Sequence, residues 1–275
     1  MNPYSESQKP EFCPVKNTDT IVIFIHGIME GPAQFKDLMK LTIQHGYSAV
    51  SLLLPGHGGT GKDFARSSGD QWIDYTRTQI NLYKQQYDKI ILVGHSMGTL
   101  LSFIAYAENP GQITGIVAID SPLHVSVKWL AIKNNLKIGF SKKISENDPA
   151  QALLHASSVA PCSLFTYLTW APRIIDLFRL MKQTRKLLHC VAVPTLVIHA
   201  DKDELVSSSS VRVFQRTIST KYLQLIRLPE STHFVYGEED LKTCHKAYCD
   251  FLNSRSTAYS LSIPPQKKTV LNDIR

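Results

Sequence analysis

The residues Gly94-His95-Ser96-Met97-Gly98 carry the clearest chemical signal in the chain. A serine with glycine two residues before it and two after it fits a very tight strand-to-helix turn. Side chains at 94 and 98 would strike the backbone around the serine, which is itself forced into a strained conformation with its hydroxyl presented outward. The chemistry open to such a hydroxyl is nucleophilic attack, and this requires a base to take its proton and an acid to orient the base. The plainer reading is a glycine turn whose serine only caps a helix. For a catalytic turn both partners are expected C-terminal to the serine, the acid before the histidine, each at the carboxyl end of a later strand. Of ten histidines, His233 fits this place, directly after the strand-like run Leu223 to Arg227 and before a helical pattern. Asp201, Asp203 and Glu204 follow the run LVIHA, and Asp120 closes the strand before it, so residue type and order alone leave several acids open.

The elements that must hold these residues are legible as alternating periods. Continuous apolar runs of strand length occur at Thr20 to Ile25, Ala49 to Leu54, Ile90 to Val93, Ile113 to Ile119, Pro194 to His199 and Leu223 to Arg227. Helical spacing is expected over 33 to 45, 71 to 87, 99 to 107, 208 to 217 and 238 to 253. Strands alternating with helices imply a parallel sheet covered on both faces. The alternation is interrupted between 122 and 190, which holds no strand-like run. Helices are expected there at Val127 to Ile138, Asp148 to Ala156 and Leu164 to Leu188, with Pro161 and Pro172 breaking the apolar surface into pieces. The expected organisation is one discontinuous core, 1–121 and 191–253, a helical cap over 122–190, and a C-terminal tail over 254–275 without clear periodicity.

At 275 residues and 43% hydrophobic content the chain can bury a full core. Five cysteines at scattered positions show neither metal-ligand spacing nor a disulfide framework. With no basic, apolar leader and no long apolar run, the expectation is a soluble cytoplasmic protein. The net charge is +7, and the stretch Ser121 to Cys190, with ten Lys or Arg against three acids, carries the whole excess. A solvated basic face explains this; attraction to an anionic headgroup or acyl carrier is the sharper alternative. No motif for DNA or RNA accompanies the charge, so a nucleic-acid partner is not expected.

Together, His26-Gly27 after the first strand, Pro55-Gly56-His57-Gly58 after the second, Gly94 to Gly98, Asp203 and His233 resemble the α/β-hydrolase superfamily. Within it the chain is similar to the group of monoacylglycerol lipases, small carboxylesterases and lysophospholipase-like proteins. The resemblance implies an α/β-hydrolase fold with a mostly parallel sheet of about six strands, helices on both faces and an inserted helical cap. It favours Asp203 as the acid, because Ala200-Asp201-Lys202-Asp203 stands where related sequences have G-x-x-D; Ala200 departs from that pattern, and Asp120 is the alternative. Asp201 is then a turn residue bonding its own backbone. By the same carry-over the backbone N–H groups of Ile28 and Met97 form an oxyanion hole, and His26 and His57 shape loops.

What the resemblance implies is hydrolysis of a small-molecule acyl ester by Ser96, His233 and Asp203, with no cofactor and no metal. A monoacylglycerol lipase or carboxylesterase is the first expectation, and a thioesterase or lysophospholipase acting on an anionic substrate the second. The basic cap would in that case also meet anionic lipid. A ligand-binding sensor that keeps the scaffold without the chemistry is the reading from a different class. Oligomeric state is left open.

Overall fold

The computed structural model describes residues 8–126 and 156–260. The expected helix Val127 to Ile138, and all of Asp148 to Ala156 but its last residue, lie outside the described residues, as does the chain beyond 260. The strands are β1 (Glu11–Cys13), β2 (Thr20–Ile25), β3 (Ser48–Ser51), β4 (Lys89–His95), β5 (Ile113–Ile119), β6 (Thr195–Ala200) and β7 (Leu223–Leu228). They form one sheet in the order β1-β3-β2-β4-β5-β6-β7. Every neighbouring pair is parallel except β1 with β3, which is antiparallel through Phe12 and Val50. The six strands expected from the sequence are all present, and β1 adds a seventh at the edge. Its three residues are too short to show a period, and Phe12 is left 46% exposed.

A short 3-10 helix (Pro32–Phe35) precedes α1 (Lys36–Gln44). The other helices are α2 (Gly61–Arg66), α3 (Gly69–Lys84), α4 (Met97–Glu108), α5 (Leu164–Leu168), α6 (Ala171–Leu187), α7 (Ser209–Thr217) and α8 (Glu238–Ser260). The sequence did not predict α2, and α8 continues past its expected end at Asn253 to Ser260. The expected helical stretch from Leu164 to Leu188 is split at Thr169-Trp170, just before Pro172 at the start of α6.

Period-two alternation sorts the central strands onto two cores. Ile21, Ile23 and Ile25 of β2, with Ile90 and Leu92 of β4, face the layer holding α3, α4 and α6. Val22, Phe24, Ile91 and Val93 face the opposite layer, with Phe35 and Leu38 beside α1 and Tyr248 and Phe251 of α8. Helix α4 is buried almost all round, as a hydrophobic helix between neighbours must be, and it packs against α3 and α6. Leu180, Met181 and Thr184 form the buried side of α6, with the Thr184 hydroxyl donating to the Leu100 carbonyl at 3.4 Å. Trp170 fixes the start of α6 to α2: its indole N–H donates to the Gly61 carbonyl at 2.8 Å, and its ring meets Phe64 edge-on.

This arrangement holds the turn at Ser96. The serine has φ 50° and ψ −124°, and its N–H continues the sheet by donating to the Ile119 carbonyl at 2.9 Å. A Cβ on Gly94 would come within 2.5 Å of the Thr99 nitrogen, and one on Gly98 within 1.9 Å of the Ile25 carbonyl oxygen. Such backbone strain costs about 1 to 3 kcal/mol. Each of Leu100, Leu101, Phe103 and Ile104, at most 1% exposed, contributes about 1.5 to 3 kcal/mol by burial, so α4 easily outweighs it.

Candidate active site

The loops at the carboxyl ends of β2, β4, β5, β6 and β7 converge around Ser96. His233 follows β7, and its ring Nδ1 donates to Asp203 Oδ2 at 2.7 Å. The other Asp203 oxygen accepts the N–H groups of Leu205 at 2.7 Å and Val206 at 2.8 Å. Glu204 adds a second clamp by accepting the His233 N–H at 3.1 Å. Both side chains of the Asp203–His233 pair are 1% exposed. Burial pushes the Asp203 carboxyl up, but the His233 charge and hydrogen bond, with the backbone donors, outweigh it and hold the carboxyl below its ordinary value. For His233, burial works against the charged ring, and the Asp203 carboxylate, assisted by Glu30 and Asp120, overcomes it. The ring is held well above the usual histidine range.

Asp120 sits next to this pair but bonds elsewhere. At φ 48°, it accepts the Ala200 N–H on Oδ1 at 2.7 Å and the Tyr236 hydroxyl on Oδ2 at 2.9 Å. It therefore ties β5 to β6 and to the loop that carries His233. Burial and the neighbouring Asp203 charge push its carboxyl up. Asp201 is not bonded to its own backbone as expected: its Oδ1 accepts instead from Arg227 Nε of β7 at 2.7 Å at the surface, where the guanidinium offers a charged donor.

On the other side of Ser96 lies the loop after β2. Among the described residues, no protein acceptor is hydrogen-bonded to the N–H of Ile28 or of Met97. His26 and His57 brace the backbone around them. His26 Nε2 accepts the Leu54 N–H at 3.0 Å while its Nδ1 donates to the Gly27 carbonyl at 2.9 Å. His57 Nε2 accepts the Met29 N–H at 3.1 Å, and its Nδ1 donates to the Pro55 carbonyl at 3.2 Å. Each ring is used as one donor and one acceptor, the pattern of a neutral imidazole. Burial pushes His26 down to about 4 and His57 down to about 3. The chain at Ser158 joins the same loop, since the Ser158 N–H donates to the Met29 carbonyl at 2.8 Å.

Sequence reasoning missed two residues here, Glu30 and His95. The Glu30 carboxylate is folded under its own loop, where Oε2 accepts the Gly27 N–H at 2.7 Å, Gln34 Nε2 at 2.8 Å and His95 Nδ1 at 2.8 Å. Its Oε1 faces His233 Nε2 at 3.7 Å, an ion-pair distance too long for a hydrogen bond. The only hint was a lone acid between glycines in a turn, which reads as exposed. Glu30, His95 and His233, and separately Asp120, Asp203 and His233, bring three metal-capable donor atoms within 4.8 Å of one another. In both sets a pair is already hydrogen-bonded, and a metal in either would take His233. A cleft of about 560 Å³ opens between the start of α1 and α8 and reaches His95 and His233, with Phe35, Leu38, Phe234 and Leu241 among its walls.

In the described part of the basic segment, Arg179, Lys182 and Lys186 are exposed, while Arg173 and Arg185 are tied inward. Arg173 is paired with Asp176 at 2.9 Å and donates to the Ala65 carbonyl, and Arg185 donates to the Leu123 carbonyl. Lys128, Lys133, Lys137, Lys142 and Lys143 lie outside the described residues.

Residues 16–240 match the profile of the family described as serine aminopeptidase, S33. The thermostable monoacylglycerol lipase of Bacillus sp. (strain H-257) is 26% identical over 226 residues, covering 77% of this chain and 82% of the lipase. The carboxylesterase of Bacillus subtilis (strain 168) is 21% identical over 239 residues, covering 86% of this chain and 94% of the esterase. Among solved structures, the monoacylglycerol lipase of Paleococcus ferrophilus superposes with a TM-score of 0.67 at 18% identity, covering 90% of this chain and 98% of that one.

Proposed function

The chain belongs to the serine aminopeptidase S33 family of α/β hydrolases, and on that premise we propose that it is a serine ester hydrolase acting on monoacylglycerols or small carboxylic esters. The observation that carries this reading is the 2.7 Å bond between His233 Nδ1 and Asp203, with the ring of His95, the residue before Ser96 on the strand-to-helix turn, 4.9 Å from that of His233. Monoacylglycerol lipase and carboxylesterase are also the names of the two relatives described above.

With Nδ1–H committed to Asp203, Nε2 of His233 is the nitrogen that takes the Ser96 proton as the hydroxyl attacks the ester carbonyl. Asp203 holds the ring in that tautomer and stabilises its charged form. The free N–H groups of Ile28 and Met97 receive the developing oxyanion, each worth about 3 to 4 kcal/mol in the transition state. The protonated His233 then gives its proton to the leaving alcohol, and water, activated by the same ring, releases the acid from Ser96.

Residues 122–190 are proposed as the cap that selects the acyl group, seated on the core by α6 and Trp170. Its apolar surface favours an uncharged acyl chain. The inward ties of Arg173 and Arg185 take two of the five described cations of this stretch out of any steering of an anionic thioester or lysophospholipid, while Arg179, Lys182 and Lys186 stay exposed. The five free cysteines fit a reducing, cytoplasmic setting, and no helix among the described residues is long and apolar enough to cross a membrane.

A substrate panel tests the assignment: monoacylglycerols and p-nitrophenyl esters of graded chain length, a lysophospholipid, an acyl-CoA and an aminoacyl p-nitroanilide, each at low and high salt. The expected result is the highest kcat/KM on an uncharged ester with little change across salt. A preference for acyl-CoA or lysophospholipid that collapses at high salt would replace it with the anionic-substrate reading. Cleavage of the anilide alone would make the protein a peptidase.

A further inference from the structure

Glu30 takes no part in the chemistry just proposed, yet it is 2% exposed at the centre of the site. Its place is fixed from several sides. The N–H of Glu30 returns to the Gly27 carbonyl at 3.3 Å, Met29 before it adopts φ 61°, and its backbone forms a bridge with Ser157. A Cβ on Gly27 would lie 2.3 Å from the Glu30 carboxylate, so residue 27 is small enough to let the side chain fold beneath the loop.

A buried carboxylate needs a counter-charge, and the described ion pairs of Glu30 are with imidazoles: His95 at 2.8 Å and His233 at 3.7 Å. His233 is thereby placed between two carboxylates, Asp203 on Nδ1 and Glu30 on Nε2. Nε2 is the atom that must be free of a proton to act on Ser96, and a carboxylate facing it favours the form that carries one.

The acids around His233 add to this bias, and the histidines beside them offset part of it. From the loop after β6 come Asp203 and Glu204, from the end of β5 Asp120, and from the loop of His233 itself Tyr236, whose hydroxyl is bonded to Asp120. His95, in front of the serine, lies with its ring 4.9 Å from that of His233 and its Nε2 3.9 Å from Asp120. His199 of β6 lies 3.7 Å from the other Asp120 oxygen. The described ion pairs of Glu30 and Asp120 include no lysine or arginine, so histidines balance these buried acids.

We propose that Glu30 is a positioning residue that keeps His233 charged in the resting enzyme and so sets the pH above which the hydrolase works. The inference rests on His233 being the base for Ser96. It assigns to the loop after β2 a second duty beside the oxyanion hole: control of when the base is available.

The test is the pH profile of kcat/KM for the full chain and for Glu30→Gln, which keeps the shape and removes the charge. The basic form of His233 should appear about one pH unit lower in the variant, giving about tenfold more activity on the acidic side of the wild-type limb. A limb that stays in place, in a variant that still labels with a fluorophosphonate, would overturn the proposal while leaving the Ser96 reading intact. A loss through a merely structural role would lower kcat/KM without moving the limb, and it too would overturn the proposal. If Glu30→Gln does not fold, nitrogen NMR of the histidine rings in Ser96→Ala and in Ser96→Ala with Glu30→Asp, which draws the carboxylate back from Nε2, decides the matter without activity. His233 should keep its second ring proton to a higher pH in the first protein than in the second, and equal titration in the two would overturn the proposal. Failure of the Ser96 reading would show differently, as wild-type protein that neither labels nor hydrolyses at any pH.

Discussion

Replacing Asp203 and Asp120 by asparagine, one at a time, separates the two acids that flank His233. Asp203 offers Oδ2 to His233 Nδ1 at 2.7 Å, and its other oxygen is pinned by the N–H groups of Leu205 and Val206. In Asp203→Asn the pinned oxygen keeps those donors, and the amide NH2 is turned toward Nδ1. That arrangement favours the tautomer with its proton on Nε2, and the base is lost. The expected fall in kcat is about 10⁴, or about 5 kcal/mol of barrier. Asp120→Asn is a different perturbation. Its oxygen still accepts the Ala200 N–H, and the Tyr236 hydroxyl can turn to accept from the new amide. The expected cost is about 1 to 2 kcal/mol of stability and less than about a tenfold change in kcat. The assay is steady-state hydrolysis of a chromogenic ester, with urea unfolding to confirm that both variants are folded. A folded Asp203→Asn with more than a tenth of wild-type activity, or a collapse in Asp120→Asn alone, would refute the assignment.

Two further outcomes follow from the same structure. Gly98→Ala should cost about 3 kcal/mol or more and abolish hydrolysis, because its Cβ would meet the Ile25 carbonyl at 1.9 Å, where backbone must move. Gly46→Ala, at φ +80° with nothing within 4 Å, should cost only the left-handed strain of about 1 to 2 kcal/mol, and equal losses in urea unfolding would contradict the packing argument. Thermal melts should also show an acid loss due to His26 and His57. Both are neutral in the folded protein, at about 4 and about 3, while in the unfolded chain they titrate near 6.5. The unfolded state therefore binds more protons below that pH. Stability is full above about 6.5 and declines as the pH falls toward 4, by about 3 kcal/mol for His26 alone. A His57→Gln variant should show a shallower decline, and an unchanged slope would count against it.

The parallel sheet was legible because β2, β4 and β5 are apolar on both faces, which leaves continuous runs rather than alternation. The edge strand β1 was not, since three residues paired on one side give no period. Helix α2 was hidden by its glycine-rich approach, although Thr60 and Asp63 form a reciprocal cap that could have marked its start. At the candidate site, the place of Ser96 on the strand-to-helix turn and of His233 after β7 was legible from motif and strand order, and the pairing of Asp203 with His233 from resemblance more than from residue type. Glu30 was not legible, because its burial depends on a turn that folds the side chain inward and on histidines distant in sequence. His26 and His57 were read correctly as loop residues, but the bonds that make them so cross between the β2 and β3 loops, which sequence spacing does not reveal.

Labelling by a fluorophosphonate probe, with the modified peptide located by mass spectrometry, most directly tests the claim that Ser96 is an activated nucleophile. Rapid labelling of the intact protein at Ser96, lost in a folded Ser96→Ala together with about 10⁴ to 10⁶ of its ester hydrolysis, is the predicted result. A folded protein that never labels at Ser96, or a Ser96→Ala variant with near-normal turnover, would contradict the account and favour a ligand-binding role for the same scaffold.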